Sequence, residues 1–176
     1  MLEDNGVFTG LPVELGAMKL EEVALPEVTL IAPFKGQMML VADALKENIG
    51  LILPPAGQYR ASARAGAYWR SPGQWLVFGA LDTGALKGMA AVVDMSDAFG
   101  RLRLTGGREA LARLVEVDLE AVPPGQVAHT ALVDIGISVI VTGDGFELML
   151  PRSYAASAVG RIETAMRGVV ARRLVE

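Results

Sequence analysis

Asp94, Ser96 and Asp97 form the tightest polar cluster in this otherwise apolar sequence. Two carboxylates around a hydroxyl suit a cationic or amino-bearing ligand. The same trio also suits a turn in which the side chains accept backbone N–H groups at the end of a strand. The turn is the preferred reading. Leu104-Thr-Gly106-Gly107-Arg108 is a strand-to-helix glycine turn whose free N–H groups could meet an anion, but one short glycine turn is better explained by packing geometry. His129 is the only histidine. Its nearest acidic neighbour is Asp134, and neither a zinc set nor a nucleophile–base–acid pattern gathers around it, so a structural or surface role is expected. Trp69 and Trp75 flank one glycine turn and read either as a core pair or as half of a recognition surface. The composition removes further chemistries. The chain has no cysteine, no Gly-x-Gly-x-x-Gly after a strand, no Gly-x-x-x-x-Gly-Lys and no Gly-x-Ser-x-Gly. The residues therefore give no catalytic group, no metal site and no identifiable cofactor site.

The elements that carry these residues occur twice. Residues 28–79 and 102–150 each open on an apolar strand, turn at glycine (Gly36, or Gly106-Gly107) into a short helix, pass a di-proline turn and close in a hairpin. Pro54 and Pro123 stand 69 positions apart, and Trp75 and Phe146 stand 71 apart, so order and offset agree. One β-α-β-β unit cannot cover its own apolar face, whereas two packed copies can. The expected class is α+β, with two pseudo-symmetric β-α-β-β halves and mainly antiparallel sheets.

In detail, residues 1–26 are punctuated by glycine and proline and read as an irregular N-terminal arm. Residues 27–176 read as a single unit of two related halves, about 27–89 and 90–176. Strands are expected over 28–34, 63–69, 74–79, 90–94, 99–104, 127–134, 137–142 and 146–150. A helix over 37–48 would bury Met38, Ala42, Leu45 and Ile49 at helical spacing and end at Gly50. Short helices follow at 82–89, capped by Asp82, and at 108–115. Ser153 is expected to cap a last helix, to about Ala171, with Tyr154, Ala158, Ile162 and Met166 along its inner side. Arg101 and Arg103 alternate with Leu102 and Leu104, one wet face against one dry. Asp144-Gly145 reads as a type I′ hairpin turn.

The whole chain has 176 residues, 52% of them hydrophobic and 20% charged, with mean hydropathy +0.38. No stretch approaches the roughly 18 uninterrupted apolar residues of a membrane helix. The start, Met1-Leu-Glu-Asp-Asn-Gly6, is acidic and has no signal-peptide core, so a cytoplasmic location is expected. The apolar excess suits either a well-packed core or partner-facing surface. A net charge of −4 argues against nucleic acid as a partner. The one cation cluster, Arg167, Arg172 and Arg173, reads as helix-end compensation.

From Val93 onward the sequence resembles the gamma subunits of heterotetrameric sarcosine oxidases. The resemblance is carried by Val93-Asp-Met-Ser-Asp-Ala-Phe-Gly-Arg-Leu-Arg-Leu-Thr-Gly-Gly-Arg-Glu-Ala-Leu-Ala-Arg-Leu114, by Val117-Asp-Leu-Glu-Ala-Val-Pro-Pro-Gly125 and by Thr142-Gly-Asp-Gly-Phe-Glu-Leu-Met-Leu-Pro-Arg-Ser-Tyr-Ala-Ala-Ser157. Leu53-Pro-Pro-Ala-Gly57 and Trp69-Arg-Ser-Pro-Gly-Gln-Trp-Leu76 fit it more loosely. That family is similar in turn to the folate-binding domains of the glycine-cleavage T-protein. The resemblance implies a folate-binding-domain-like fold and an accessory, non-catalytic subunit of a complex that oxidatively demethylates sarcosine to glycine. The one-carbon unit would leave as formaldehyde or methylene-tetrahydrofolate, with hydrogen peroxide as the other product. It further implies alpha, beta and delta subunits as partners, no nucleic acid or membrane partner, and no cofactor on this chain. FAD, FMN, NAD, zinc and tetrahydrofolate would lie on the partner subunits. The alternative is a stand-alone tetrahydrofolate-binding one-carbon protein of the T-protein type. The T-protein pattern has acidic residues just before the strand that begins at Val139. Ile137 and Ser138 stand there instead.

Overall fold

The computed structural model describes residues 7–174. In chain order the elements are β1 (Val13–Leu15), β2 (Met18–Glu22), β3 (Val28–Pro33), α1 (Met38–Ile49), β4 (Tyr59–Ala61), β5 (Gly66–Ser71), β6 (Gln74–Phe78), β7 (Ala90–Asp94), β8 (Phe99–Thr105), α2 (Arg108–Ala112), β9 (Val127–Leu132), β10 (Ile135–Val141), β11 (Gly145–Pro151) and α3 (Ala155–Arg173). Short 3-10 turns occupy Thr83–Leu86 and Arg152–Tyr154. The class is mixed α and β, and every described strand pairing is antiparallel. The chain forms two compact units.

One unit comprises Leu25–Asp97 with Gly125–Val127. Its sheet has the order β4-β5-β6-β3-β7. Ile31, Ala67, Val77 and Ala90 from this sheet share a core with Val41, Leu45 and Ile49 of α1. Each such large aliphatic side chain contributes roughly 2 kcal/mol of burial. The buried ridge of α1 therefore starts at Val41. Met38, expected inside, is in the first turn and 41% exposed, and Ala42 is half-buried. Helical periodicity fixes a face, but it does not say at which turn the cover begins. Gly50 ends the helix as expected, with φ +68° and its N–H donating to the Lys46 carbonyl. Asp82 caps the 3-10 turn, its Oδ1 accepting from the Gly84 N–H at 2.9 Å.

The other unit comprises the chain up to Ala24, Ala98–Pro124 and everything from Ala128 onward. Its sheet has the order β1-β2-β8-β11-β10-β9. Leu20, Leu102, Leu104, Val139, Val141, Phe146 and Leu148 form its core with Leu111 of α2 and with Ala158, Ile162, Met166 and Val169 of α3. Ser153 does not cap α3. It lies in the 3-10 turn, Tyr154 holds the N-cap position without a side-chain bond, and Tyr154 is 51% exposed. A 3-10 turn moves the helix start by one residue and swings Tyr154 off the inner stripe.

Two boundaries differ from expectation. The arm over residues 1–26 is not irregular where it is described. β1 and β2 form a hairpin through Gly16 at φ +61°, and β2 pairs with β8. Met18 and Leu20 are buried, with Lys19 and Glu21 between them on the other face. Five alternating residues are too brief a pattern to stand out among the surrounding glycines and prolines. Residues 1–6, with the acidic start read from them, lie outside the described residues. The boundary at 89/90 also moves. β7 completes the sheet beside β3, so the division falls after Asp97.

Candidate functional site

β8, β11 and β10 place one group of polar side chains on the sheet face opposite α2 and α3. Their register sets Arg103 directly across from Glu147, Arg101 across from Met149, and Ile140 and Ser138 across from Glu147 and Met149. Glu147 is only 4% exposed. Arg101 donates a very short hydrogen bond to Glu147 Oε2, and Arg103 donates to Oε1 at 2.7 Å. Burial pushes the Glu147 carboxyl up, but the Arg103 hydrogen bond and the charge of Arg101 outweigh it and leave it below its ordinary value. The Glu147 partnership holds the Arg103 guanidinium above its ordinary value, against the effect of burial. A carboxylate gripped by two guanidiniums is a poor general base, because taking up a proton would forfeit both charge-assisted bonds. This triad corrects the expected wet face of β8. Alternation along β8 does not show it, because the partner of both arginines lies 46 and 44 residues away on β11. The signal was Glu147, a lone charge in the apolar run Phe146-Glu-Leu-Met-Leu150.

His129 lies near the same face. Its Nδ1 is 3.0 Å from the Ser138 hydroxyl, on a side chain that is itself buried. Asp134, the acid nearest in sequence, is bound by Arg161, which holds its carboxyl below the usual range. The histidine and serine are therefore joined, but that acid does not orient them as a triad would require. Ile137 is packed in the apolar core, and Ser138 holds the histidine. No carboxylate stands at either position, so the donor set does not match the T-protein pattern for folate.

The glycine turn serves close approach. A Cβ on Gly107 would run into the Leu104 side chain, and one on Gly106, which has φ +65°, into the Ala17 carbonyl oxygen. Gly145 is equally constrained by the Leu104 carbonyl. That is why glycine follows Asp144. Gly145 has no positive φ, so the turn is not type I′; it closes instead through Thr142 N–H donating to the Gly145 carbonyl at 2.9 Å. Beside these glycines is a hollow of about 260 Å³, and Arg108 lies over the Phe146 ring at 5.2 Å while donating to the Leu119 carbonyl. The guanidinium thus packs and braces the chain.

Asp94 and Ser96 form the expected turn. Asp94 Oδ1 accepts from the Ser96 hydroxyl at 2.7 Å and from its N–H at 2.9 Å, and the Ser96 oxygen accepts from the Val28 N–H. The Ser96 hydroxyl, then its N–H, lowers the pKa of Asp94. Both residues, with Glu27, Thr29, Leu81 and Thr83, line a hollow of about 320 Å³. Trp69 and Trp75 are cross-strand partners. Trp75 is buried and its Nε1–H donates to the Pro54 carbonyl at 2.8 Å, tying the hairpin to the di-proline turn. The helix-end cations are paired, Arg167 with Glu163, and Arg172 and Arg173 with Glu109. Among the described residues, no three His, Cys, Asp or Glu side chains are grouped to hold a metal ion, and no helix is long and apolar enough to cross a membrane.

Compared with solved structures, the chain aligns over 90% of its length with 89% of a chain in heterotetrameric sarcosine oxidase from Corynebacterium sp. U-96, with TM-score 0.78 and 21% identity. The fold is that of a sarcosine oxidase chain. Aminomethyltransferase T of the glycine cleavage system from Bartonella henselae also matches, with TM-score 0.58 and 14% identity over 81% of this chain. The chain spans 44% of that enzyme's length, against nearly all of its sarcosine oxidase neighbour. No protein-family model matches the sequence, and no curated protein matches it either.

Proposed function

We propose that this chain is a gamma-type accessory subunit of a heterotetrameric sarcosine oxidase complex, itself structural and non-catalytic. The observation that carries the reading is the match of fold to almost the whole of a sarcosine oxidase chain. The site supports it: among the described residues the buried carboxylate of Glu147 is held by two arginines, and His129 lies against Ser138. Its partners would be the alpha, beta and delta subunits in the cytoplasm. FAD, FMN, NAD, zinc and tetrahydrofolate would reside on them, and sarcosine demethylation would occur there. The two units would be related copies of one β-α-β-β plan. Supporting this, β3 lies between β6 and β7, and β8 lies likewise between β11 and β2, with a helix and a three-strand meander following each.

Co-expression with the large flavin-bearing chains of the same organism tests the reading. The complex should assemble and turn over sarcosine with this chain, and lose assembly or activity without it. A flavoprotein that forms and works identically in its absence sinks the proposal. The second reading, a stand-alone tetrahydrofolate-binding protein of the T-protein type, draws on the aminomethyltransferase fold match. Titration calorimetry of the isolated chain with tetrahydrofolate and folinic acid separates the two. Micromolar binding favours the second, and no heat the first.

A further inference from the structure

Over seven residues between β3 and the first turn of α1 the chain shows a dense apolar surface. Phe34 is 48% exposed, Met38 41%, Met39 78% and Leu40 53%. Together they present on the order of 400 Å² of apolar area, the scale of the functional patches found on soluble proteins. Two of the four are methionines, whose unbranched side chains reshape readily against another surface. Within residues 34–40 the one charged side chain is that of Lys35, and the next along α1, Asp43, is exposed one turn further on. Lys35 is exposed in the same segment. Helix geometry leaves the Met38, Met39 and Leu40 N–H groups without intrahelical acceptors. No side chain caps them, and no acidic residue stands in the first turn. The positive end of the helix dipole is therefore left bare inside an apolar rim, where a carboxylate would be stabilised.

We infer that Phe34, Met38, Met39 and Leu40, with Lys35, form the surface by which this chain docks on a flavin-bearing partner subunit, against an apolar face that carries an acidic side chain at its centre. The inference rests on the accessory-subunit reading and names the face it would use. A second copy of this chain is the poorer occupant, because the patch would set its own Lys35 and helix ends against their equals.

The test is co-purification of the full chain with the flavin-bearing chains of the same organism. Met39→Glu, Leu40→Glu and Lys35→Glu are compared with wild type and with Tyr154→Glu, which alters another exposed apolar residue. Far-UV circular dichroism verifies that each variant folds. Met39→Glu and Leu40→Glu should lower recovery of the complex at least tenfold and Lys35→Glu severalfold, with Tyr154→Glu matching wild type. Undiminished recovery with the two patch variants overturns the docking face and leaves the accessory reading standing. Failure of wild type itself to co-purify removes both. A wild-type dimer in size-exclusion chromatography that Met39→Glu dissolves overturns the inference in favour of self-association.

Discussion

Glu147 is the residue on which the polar face of its sheet depends. Its partner Arg101 has a side chain only 12% exposed, so removing the carboxylate takes a charge-assisted bond from a guanidinium with little access to water. Glu147→Gln should destabilise the protein by about 3 kcal/mol, read from urea unfolding at pH 7. The pH dependence follows from the direction of the shift. The folded carboxyl titrates below its unfolded value of about 4.3, so its contribution is complete above that pH and disappears as pH falls through the folded pKa. The gap between wild type and Glu147→Gln should therefore close in acid titrations below about pH 4. A gap that stays constant down to pH 2 would show that the carboxylate's charge plays no part. Trp75→Phe makes a second test at this scale. It keeps the ring but leaves the Pro54 carbonyl without its indole donor, and should cost about 1–2 kcal/mol in the same assay.

At the scale of elements, the hairpins depend on backbone positions more than on propensity. The turn joining β9 to β10 holds Val133 at φ +61°, a conformation that its branched side chain resists. Val133 is exposed, so Val133→Asn should relieve the strain and stabilise by about 1 kcal/mol, seen as a higher midpoint in thermal unfolding. Gly145→Ala should act in the opposite direction by about 2 kcal/mol or more, since the added methyl meets the Leu104 carbonyl across the strand pair. The hairpin of β1 and β2 makes the third case. Leu20 is fully buried, and β2 covers the edge of β8. Leu20→Ala should cost about 2–5 kcal/mol, with aggregation once the edge is loosened. These elements also divide into legible and illegible ones. Gly50, Asp82 and the Pro72-Gly73 turn announce themselves because their chemistry is local. The β1–β2 hairpin does not, because its buried pair means nothing until β8 lies beside it.

At the scale of the molecule, the apolar composition finds two outlets. Most of it fills the two cores, and some remains outside at the head of α1. The sequence offered a well-packed core and partner-facing surface as alternatives, and the structure contains both a core and an exposed apolar segment. The fold match runs along nearly a whole sarcosine oxidase chain, which is why the proposed role is that of a subunit and not of an excised binding domain.

What the sequence determined by itself was local or periodic: most of the strands from β3 onward, the Gly50 stop, the Asp94–Ser96 turn and the antiparallel α and β class. These arise from interactions within a few residues, so a linear string contains them. The tertiary structure alone decided that Glu147 would lie between Arg101 and Arg103, that Ser138 would meet His129, that Gly107 and Gly145 are required by neighbours rather than by turns, and that Met38 would lie outside while Val41 turned inward. Each depends on which distant strand or helix comes to lie alongside. Register and burial follow from that packing and cannot be read from spacing alone.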